Sequence, residues 1–292
     1  MRWSTKKRLE FIESRLFWDG KISRKDLTDY FDVSVPQATK DLKQYAEKAP
    51  ENIRYDKSAK QYVIGENFQS TMTDTDCETY FSQLAITALE KSGDFFCGTM
   101  PVSYHLPIIA RSVDPKVLKD ILKCMHGGYS IEIDYQSMNS PDPERRMISP
   151  HALGSDGLRW HVRGLCHRSK KYKDFVLSRI TGTGEMRAFP HGHSNDYLWH
   201  NNIVFKLTPH NDLSPGQRQI IEREYSMVDG EASIEVKAAF SFYLRERLGL
   251  RAENEGMPGK QHQIILKNRE EIDMKIKLLE EIEAARIKDL SL

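Results

Sequence analysis

The stretch ISRKDLTDYFDVSVPQATKDLKQYAE, residues 22–47, predicts two short helices separated by a tight break. Ser23 is placed to cap the first helix, and Asp26 follows at the spacing that lets its side chain bond back to the cap. Asp32 then interrupts the helical pattern. Three apolar side chains of the first helix fall on one face at helical spacing, namely Leu27, Tyr30 and Phe31.

The second helix of this stretch has one apolar and one polar face. Ser34 is its predicted cap, with Gln37 as the partner three residues later, and Pro36 fits the first turn, where a missing N–H costs nothing. The inner face carries Ala38, Leu42 and Tyr45. The outer face carries side chains able to reach phosphates or base edges, namely Gln37, Thr39, Lys40 and Lys43. This is the helix-turn-helix pattern, although an ordinary pair of helices inside a core would fit it equally well.

The residues on either side decide between these two interpretations. Residues 52–64, NIRYDKSAKQYVI, alternate as two strands around a basic tip at Lys57 and Lys60. Residues 3–18 place apolar side chains at helical spacing and predict a preceding helix. Three helices and a basic hairpin predict a winged helix-turn-helix domain over residues 1–66. We expect its DNA contacts to come from Ser34, Pro36, Gln37, Thr39, Lys40, Lys43, Lys57 and Lys60.

Composition limits the other possibilities. The chain has 292 residues, a formal net charge of +1 and four cysteines, so any contact with nucleic acid must come from locally clustered cations. The cysteines are widely spaced without a CxxC pair, which favours reduced thiols in the cytoplasm over a disulfide framework or a zinc site. No apolar run approaches the ~18 residues of a membrane span, and the N-terminus lacks the apolar core of a secretory signal. We expect a cytoplasmic protein without a metal or other cofactor.

After the hairpin the pattern changes three times. Residues 67–128 contain two helical patterns, and we expect a helical linker that also helps to join two protomers; packing within one chain is the alternative. Residues 129–199 switch to period two, with several short strands and turns, which predicts a small, bent, barrel-like sheet. Residues 200–292 predict a small α+β extension. The predicted fold class is therefore multidomain α+β.

Four motifs follow one another along the predicted sheet. They are YQS (Tyr135–Ser137), SPHAL (Ser149–Leu153), LRWHVRG (Leu158–Gly164) and FVLSRI (Phe175–Ile180). Together they resemble the WYL domain of bacterial transcriptional regulators, which implies an SH3/Sm-like β-barrel. The order of winged helix, WYL domain and C-terminal extension resembles these regulators over nearly the whole chain. The WHVR variant and the length most resemble the BrxR/CapW regulators that lie beside anti-phage defence operons such as BREX.

The signature departs from the WYL family at its centre. It reads Trp160-His161-Val162, so a histidine stands where the family has tyrosine and a valine where it has leucine. Valine is a small change on a buried strand face. Histidine keeps a planar ring and a hydrogen-bond donor, and it can also carry charge near neutral pH. A ligand contact that needs the tyrosine hydroxyl is therefore not expected in this chain.

Six side chains of these motifs predict an anion-binding pocket on neighbouring strands, namely Tyr135, Ser137, His151, His161, Arg163 and Arg179. Positions 161 and 163 share a face because side chains alternate along a strand. Guanidinium groups match phosphate geometry, and hydroxyls and imidazoles complete the hydrogen bonding. The resemblance likewise implies a pocket that senses nucleotides or nucleic-acid fragments. The alternative is a pair of surface strands whose arginines form salt bridges with Glu132, Asp134 or Asp174.

We expect a ligand-responsive transcriptional repressor that acts as a homodimer on an inverted-repeat operator in double-stranded DNA, with a nucleotide or oligonucleotide effector. A second hypothesis is a nuclease or phosphodiesterase with His151 and His161 as acid and base. The sequence offers neither a glycine-rich phosphate loop nor a nucleophile beside a base to support it, so we expect no enzymatic activity. A third hypothesis is an adaptor whose domains contact only proteins.

Overall fold

The computed structural model describes residues 3–90, 95–106, 109, 111–189, 191–254 and 256–288. Its contacts divide the chain into two compact units, residues 1–108 and 109–292. Helix α4 (Cys77–Glu90) belongs to the first unit and helix α5 (Pro115–Gly127) to the second. The predicted linker block therefore contributes one helix to each unit. None of the described helices is long and apolar enough to cross a membrane.

The first unit begins with the predicted three helices and hairpin. These are α1 (Trp3–Asp19), β1 (Lys21–Ile22), α2 (Arg24–Phe31), α3 (Val35–Lys48), β2 (Ile53–Asp56) and β3 (Gln61–Ile64). The strands form an antiparallel sheet in the order β1-β3-β2. The hairpin prediction is confirmed, and β1 is an addition. A strand of two residues is too short to show period two, so the sequence pattern could not have predicted it.

The core of the first unit follows the predicted helical spacing. The fully buried apolar side chains come from the inner faces of α1, α2 and α3 and include Leu9, Ile12, Leu16, Leu27, Ala38, Leu42 and Tyr45. Ser23 and Asp26 form the predicted capping box at the start of α2. Ser34 Oγ accepts a hydrogen bond from the Gln37 N–H at the start of α3. Both caps thus fix where the two helices begin.

The second unit opens with α5 and a five-stranded antiparallel sheet. Its strands are β4 (Tyr129–Tyr135), β5 (Glu144–Ser155), β6 (Trp160–Cys166), β7 (Lys171–Val176) and β8 (Ile180–Ala188). They are arranged in the order β7-β6-β5-β4-β8. Helix α5 packs on one face through Val117, Ile121 and Cys124. Strand β8 was not predicted, because glycines at 182 and 184 interrupt its pattern.

The sheet is bent but open. Register shifts occur in β4 between Ile131 and Ile133 and between Asp134 and Tyr135, and in β5 between Pro150 and Ala152. Such bulges bend a strand and increase its twist. Within the described residues, however, no pairing joins the edge strands β7 and β8. The strands of the predicted SH3/Sm-like β-barrel are therefore observed as an open, bulged sheet and not as a closed barrel.

The remainder of the second unit is the predicted small α+β region. Its elements are α6 (Tyr197–His200), β9 (Asn202–Pro209), α7 (Pro215–Glu224), β10 (Ala232–Lys237), α8 (Ser241–Arg247), β11 (Ile264–Leu266) and α9 (Arg269–Lys288). The strands form an antiparallel sheet in the order β10-β9-β11. Alternate residues of the central strand, Ile203, Phe205 and Leu207, are buried with Ile272 and Leu279 of α9. The short helix α6 was not predicted, and it positions a carboxylate described below.

Candidate functional site

Helix α3 presents its polar side to solvent. Ala38, Leu42 and Tyr45 are fully buried, so the helix is fixed by its inner face. We define the outer face of α3 as Pro36, Gln37, Thr39, Lys40 and Lys43. All of these are exposed except Gln37, which is half-buried. The outer face is thus held in position by the domain core without being part of it.

A buried ion pair behind α3 orients Gln37. Arg8 Nε of α1 donates to Asp41 Oδ2 at 2.6 Å, and Gln37 Nε2 donates to Asp41 Oδ1 at 2.8 Å. Because the amide nitrogen faces the carboxylate, Gln37 Oε1 remains as the acceptor. Gln37 is the predicted partner of the Ser34 cap through its backbone N–H, while its side chain bonds Asp41. Sequence reasoning missed Arg8 and Asp41; the Gln–Asp spacing of four residues was the available signal.

The cations of the outer face and the wing are exposed. Among the described residues, no carboxylate pairs with Lys40, and Lys43 Nζ lies 4.0 Å from Glu47 Oε1 with both side chains largely in solvent. Lys57 and Lys60 at the wing tip are also exposed. Such cations remain available to an approaching polyanion, since exposed ion pairs contribute little.

A buried carboxylate fixes the segment that follows the wing. Glu13 of α1 is fully buried and accepts hydrogen bonds from the N–H groups of Thr71 (2.8 Å), Met72 (2.6 Å) and Thr73 (3.0 Å). It also accepts one from the hydroxyl of Tyr45 on α3 at 2.9 Å. Burial alone would raise the pKa of Glu13, but these hydrogen bonds outweigh it and lower the pKa. Glu13 therefore links α1, α3 and the post-wing segment, a role that sequence reasoning missed.

The six residues predicted to bind a ligand do not all face one space. Tyr135 lies in the core under α5, where its ring centroid is 5.2 Å from that of Phe175 and its hydroxyl accepts the Val176 N–H at 3.3 Å. Val162 packs in the same core. Because side chains alternate along β6, its neighbours His161 and Arg163 lie on the opposite face of the sheet.

Two more of the six lie outside that opposite face. Ser137, in the loop after β4, accepts the Asn139 N–H at 3.2 Å. Arg179 is half-buried in a single 3₁₀ turn before β8, and its carbonyl accepts the Gln136 N–H at 3.0 Å. No ion pair is formed by the Arg179 side chain within the described residues. These two residues therefore lie beside the C-terminal end of β4.

His151 and Arg163 do meet, but around carboxylates of the chain itself. Arg163 Nε and Nη2 donate to Asp196 Oδ2 and Oδ1 at 2.7 and 2.8 Å, and Nη1 donates to Asp174 Oδ1 at 3.0 Å. His151 Nε2 donates to Asp196 Oδ2 at 2.7 Å. Arg163 is only 3% exposed and Asp196 is fully buried. We call these four residues the buried polar cluster. The Arg163–Asp174 salt bridge is the alternative considered above, and Asp196 was not predicted.

The charges of the buried polar cluster stabilise one another. Burial alone would raise the pKa of Asp196, but hydrogen bonds from His151 and Arg163 outweigh it and hold the pKa low. The same carboxylate and Asp174 raise the pKa of Arg163 despite its burial. Asp196 also caps α6 by accepting the Trp199 N–H at 3.0 Å. Opening the cluster would leave buried charges unpaired, which is costly.

A further acid and a further histidine border this cluster. The Glu283 side chain of α9 is 5% exposed, and burial, together with the charge of Asp196, raises its pKa to about 7. The His193 ring stacks on His151 with centroids 4.8 Å apart, and burial and the neighbouring imidazole lower its pKa to about 4. Neither residue was predicted. In the sequence, Glu283 resembles any other acid of a charged helix, so its burial gave no signal.

His161, the residue in the family tyrosine position, has a different partner. Its Nε2 donates to Asp156 Oδ2 at 3.1 Å, and its ring centroid lies 4.8 Å from that of Tyr243. The ring is 2% exposed, and Nδ1 has no hydrogen-bond partner within the described part of the chain. The predicted ligand residues are thus distributed over four surroundings and do not form one open pocket.

The described residues contain no candidate metal site. No group of three or more His, Cys, Asp or Glu side chains there is arranged to hold a metal ion. The four cysteines are free thiols, with Cys77 exposed and Cys97, Cys124 and Cys166 buried.

Comparison with known domain families covers most of the chain. Residues 4–86 match the BrxR transcriptional regulator winged helix-turn-helix domain, residues 116–183 match the WYL domain, and residues 203–272 match the BrxR transcriptional regulator C-terminal dimerization domain. One solved structure, proteasome accessory factor B/C of Arthrobacter aurescens, aligns with 97% of this chain and 48% of its own length, at 14% identity. Its TM-score of 0.26 is too low to carry any conclusion.

Full-length relatives give the same result. Proteins described as the DNA-binding transcriptional repressor CapW from Escherichia coli (strain KTE188) and from Pseudomonas aeruginosa are each 38% identical over 279 residues, covering 93% of this chain and 91% of theirs. The CapW of Stenotrophomonas maltophilia is 33% identical over 276 residues, covering 93% of this chain and 92% of its own. With its three domains matched in order, the chain belongs to the BrxR/CapW family of transcriptional regulators.

Proposed function

We propose that the protein is a sequence-specific DNA-binding repressor of a phage-defence operon, acting as a homodimer on an inverted repeat. The observation that carries this proposal is the outer face of α3: polar and cationic side chains stand exposed on a capped helix whose other face is fixed in the core. The relatives described as DNA-binding repressors support it. The family is one of transcriptional regulators, not of enzymes.

Each side chain of the outer face has a proposed role. Gln37, Thr39 and Lys40 contact base edges or phosphates in the major groove, and Lys43 contacts a phosphate. Ser34 and Pro36 at the helix start approach the DNA backbone. On the wing, Lys57 and Lys60 contact the adjacent backbone or the minor groove. Since Asp41 holds the Gln37 amide nitrogen, Gln37 Oε1 would accept hydrogen bonds from base amino groups.

The proposed dimer determines the symmetry and the half-site spacing of the operator. We propose four regions: 1–66 binds DNA, 67–128 links and helps to join protomers, 129–199 senses the effector, and 200–292 dimerises. The last role is supported by the family description of residues 203–272 as a dimerization domain. A two-fold dimer implies half-sites separated by about one helical turn of ~34 Å, or a multiple of it. The bulged sheet of 129–199 would correspond to the SH3/Sm-like fold that the WYL resemblance implies.

The effector is proposed to be a nucleotide or oligonucleotide bound by the WYL domain. Tyr135, Ser137, His151, His161, Arg163 and Arg179 are the residues proposed to contact it or to respond to it. His151 and Arg163 already hold Asp196, so they would respond by changing that contact. A change from mostly bound to mostly released DNA requires ~5 kcal/mol of differential affinity.

A mobility-shift titration tests the proposal, using the duplex immediately upstream of the protein's own gene at several salt concentrations. We expect a shift whose affinity falls steeply with salt. Replacing Gln37, Lys40 and Lys43 together by Ala should weaken binding at least ~100-fold, because base contacts are worth about 1–3 kcal/mol each. The matched control replaces exposed Lys119, Gln261 and Lys277 by Ala and should leave binding unchanged.

Three results would contradict the proposal. Undiminished affinity of the α3 variant would exclude the outer face as the DNA-reading surface. Absence of any shift with wild-type protein would favour the adaptor hypothesis. Turnover of labelled DNA or RNA in the presence of Mg²⁺ or Mn²⁺ would favour the nuclease or phosphodiesterase hypothesis. Unchanged effector binding and operator release in Arg163→Ala and Arg179→Ala would separately exclude those residues from the sensing region.

A further inference from the structure

A cleft of about 780 Å³ opens beside His161 in the second unit. One wall is the turn between β5 and β6, residues 156–159, and the other is helix α8 with Arg251 beyond it. None of the residues that line this cleft was among the six predicted to bind a ligand. Its volume lies within the range of small-molecule sites and is sufficient for a nucleotide.

The charge on the turn side of the cleft is compensated internally. Asp156 accepts hydrogen bonds from the N–H groups of Leu158 (2.8 Å) and Arg159 (2.6 Å) and from Arg159 Nε (2.8 Å). Burial alone would raise the pKa of Asp156, but its hydrogen bonds, beginning with that from His161, hold the pKa well below its usual range. The charges of Arg159 and Asp156 therefore cancel, and the pair contributes no net charge to the cleft.

On the helix side of the cleft, one arginine has no carboxylate partner among the described residues. Arg251 pairs with Glu246 and lies 3.9 Å from the more exposed Glu253. Arg247 is exposed, and no carboxylate of the described residues pairs with it. Its Nη1 extends across to the turn, where it lies 3.4 Å from the position that a Cβ on Gly157 would occupy. Arg247 thus brings an uncompensated guanidinium to the cleft, and a guanidinium matches phosphate geometry.

Apolar surface adjoins this guanidinium. Phe242 on α8 is 61% exposed and Leu158 on the turn is 74% exposed, although both are large apolar side chains at the edge of a cleft. The Tyr243 ring lies 5.2–5.5 Å from the rings of Phe240 and Phe242. A planar ring can stack on such a wall, and the stacking tolerates any base.

The base of the cleft is connected to the buried polar cluster. His161 contacts Tyr243 and Asp156, both of which line the cleft. The Tyr243 hydroxyl donates to Asp174 Oδ2 at 3.4 Å, and Asp174 Oδ1 accepts from Arg163 Nη1 at 3.0 Å. Displacement of Tyr243 by a ligand would therefore reach Arg163 through Asp174.

We infer that this cleft is the effector site and that it takes a nucleoside 5′-monophosphate group, with Arg247 on the phosphate and Phe242 and Leu158 against the base. The inference rests on the proposed function, since it names the site and chemistry of the effector. The recognised group is either a free mononucleotide or the 5′-phosphorylated end of a short strand, because both present the same phosphate and terminal base.

Calorimetric titration of the full-length protein tests the inference. The probes are adenosine 5′-monophosphate, adenosine, inorganic phosphate and a 5′-phosphorylated thymidine tetranucleotide. We expect saturable binding of the monophosphate or the tetranucleotide, weakened at least ~10-fold in Arg247→Gln, because the phosphate would lose its charge-assisted hydrogen bond. Phe242→Ala should weaken it ~10-fold through lost stacking. Arg223→Gln, an exposed arginine on α7, is the matched control and should bind like wild type.

The outcomes separate the inference from the proposed function. The inference is overturned if no probe binds, if Arg247→Gln and Phe242→Ala bind as wild type does, or if inorganic phosphate binds as tightly as the nucleotides. Binding of the tetranucleotide alone, weakened in both variants, supports the inference with a strand end as the source. Arg247→Gln should still shift the upstream duplex without effector. Loss of the wild-type shift would instead contradict the proposed function.

Discussion

The outer face of α3 and the buried polar cluster both carry cationic side chains, which are exposed on α3 and paired with carboxylates in the cluster. On α3 the cations remain exposed: Lys43 lies 4.0 Å from the solvent-exposed Glu47, while the buried Asp41 is occupied by Arg8 and Gln37. In the second unit Arg163 is closed off by two carboxylates. Arginines, lysines and imidazoles therefore identify a binding surface only where the chain leaves them unneutralised.

The largest effect is expected when the buried polar cluster is broken. Arg163→Ala leaves Asp196 and Asp174 buried without their shared cation, which should cost ~3–5 kcal/mol. The measurement is hydrogen exchange of the β6 and α6 amides, whose protection should fall by that free energy of opening. Arg187→Ala, which breaks an exposed pair with Glu185, is the control and should leave local protection unchanged, because exposed ion pairs contribute little. Near-wild-type protection in Arg163→Ala would mean that the cluster is not closed in solution.

Glu283 offers a pH-dependent test of the same cluster. Burial raises its pKa to about 7, so the folded state binds its proton more tightly than the unfolded state does. The stabilisation is present below the unfolded pKa and is lost as pH rises through about 7. Glu283→Gln should therefore exceed wild type in unfolding free energy at pH 8, by ~1–3 kcal/mol, and match it near pH 4. Urea unfolding at several pH values measures this.

The control for this pH series is Glu280→Gln, an exposed acid on the same helix. Because only the difference between variant and wild type is used, the titration of groups that do not interact with Glu283 cancels. A difference between Glu283→Gln and wild type that stays constant from pH 4 to 8 would show that Glu283 does not titrate in this range.

The smallest effect is expected when the exposed lysines of the wing are replaced. Replacing Lys57 and Lys60 by Ala should weaken operator binding by about tenfold or less and reduce the salt slope by ~1 per lost phosphate contact. Affinity should fall equally for operator and unrelated duplex, because phosphate contacts carry no sequence information. An unchanged salt slope would show that the wing tip does not contact DNA.

The sequence predicted most of what depends on local pattern. Helical spacing located α1 to α3, the Ser23–Asp26 box located the start of α2, and alternation located the wing. It did not predict that carboxylates distant in sequence, such as Asp196, would pair with Arg163. Asp196 lies 33 residues after Arg163, at the N-cap of a four-residue helix too short to show a period.

The same limit explains why the six predicted ligand residues do not form one pocket. Alternation placed His161 and Arg163 on one face, as observed, but it did not reveal that Tyr135 faces the other side of the sheet. The register of β4 depends on bulges in the sheet, and bulges have no reliable sequence signal of their own. Strand β8 was not predicted for a related reason, since the glycines at 182 and 184 interrupt its alternating pattern.

The most direct test of the central claim is photo-crosslinking from α3 to DNA. A benzoylphenylalanine replaces exposed Thr39 in one sample and exposed Leu278 of α9 in another, each bound to the duplex upstream of the gene. We predict crosslinks from position 39 to bases within each half-site and none from position 278. Efficient DNA binding without any crosslink from position 39 would contradict the claim that the outer face of α3 enters the DNA.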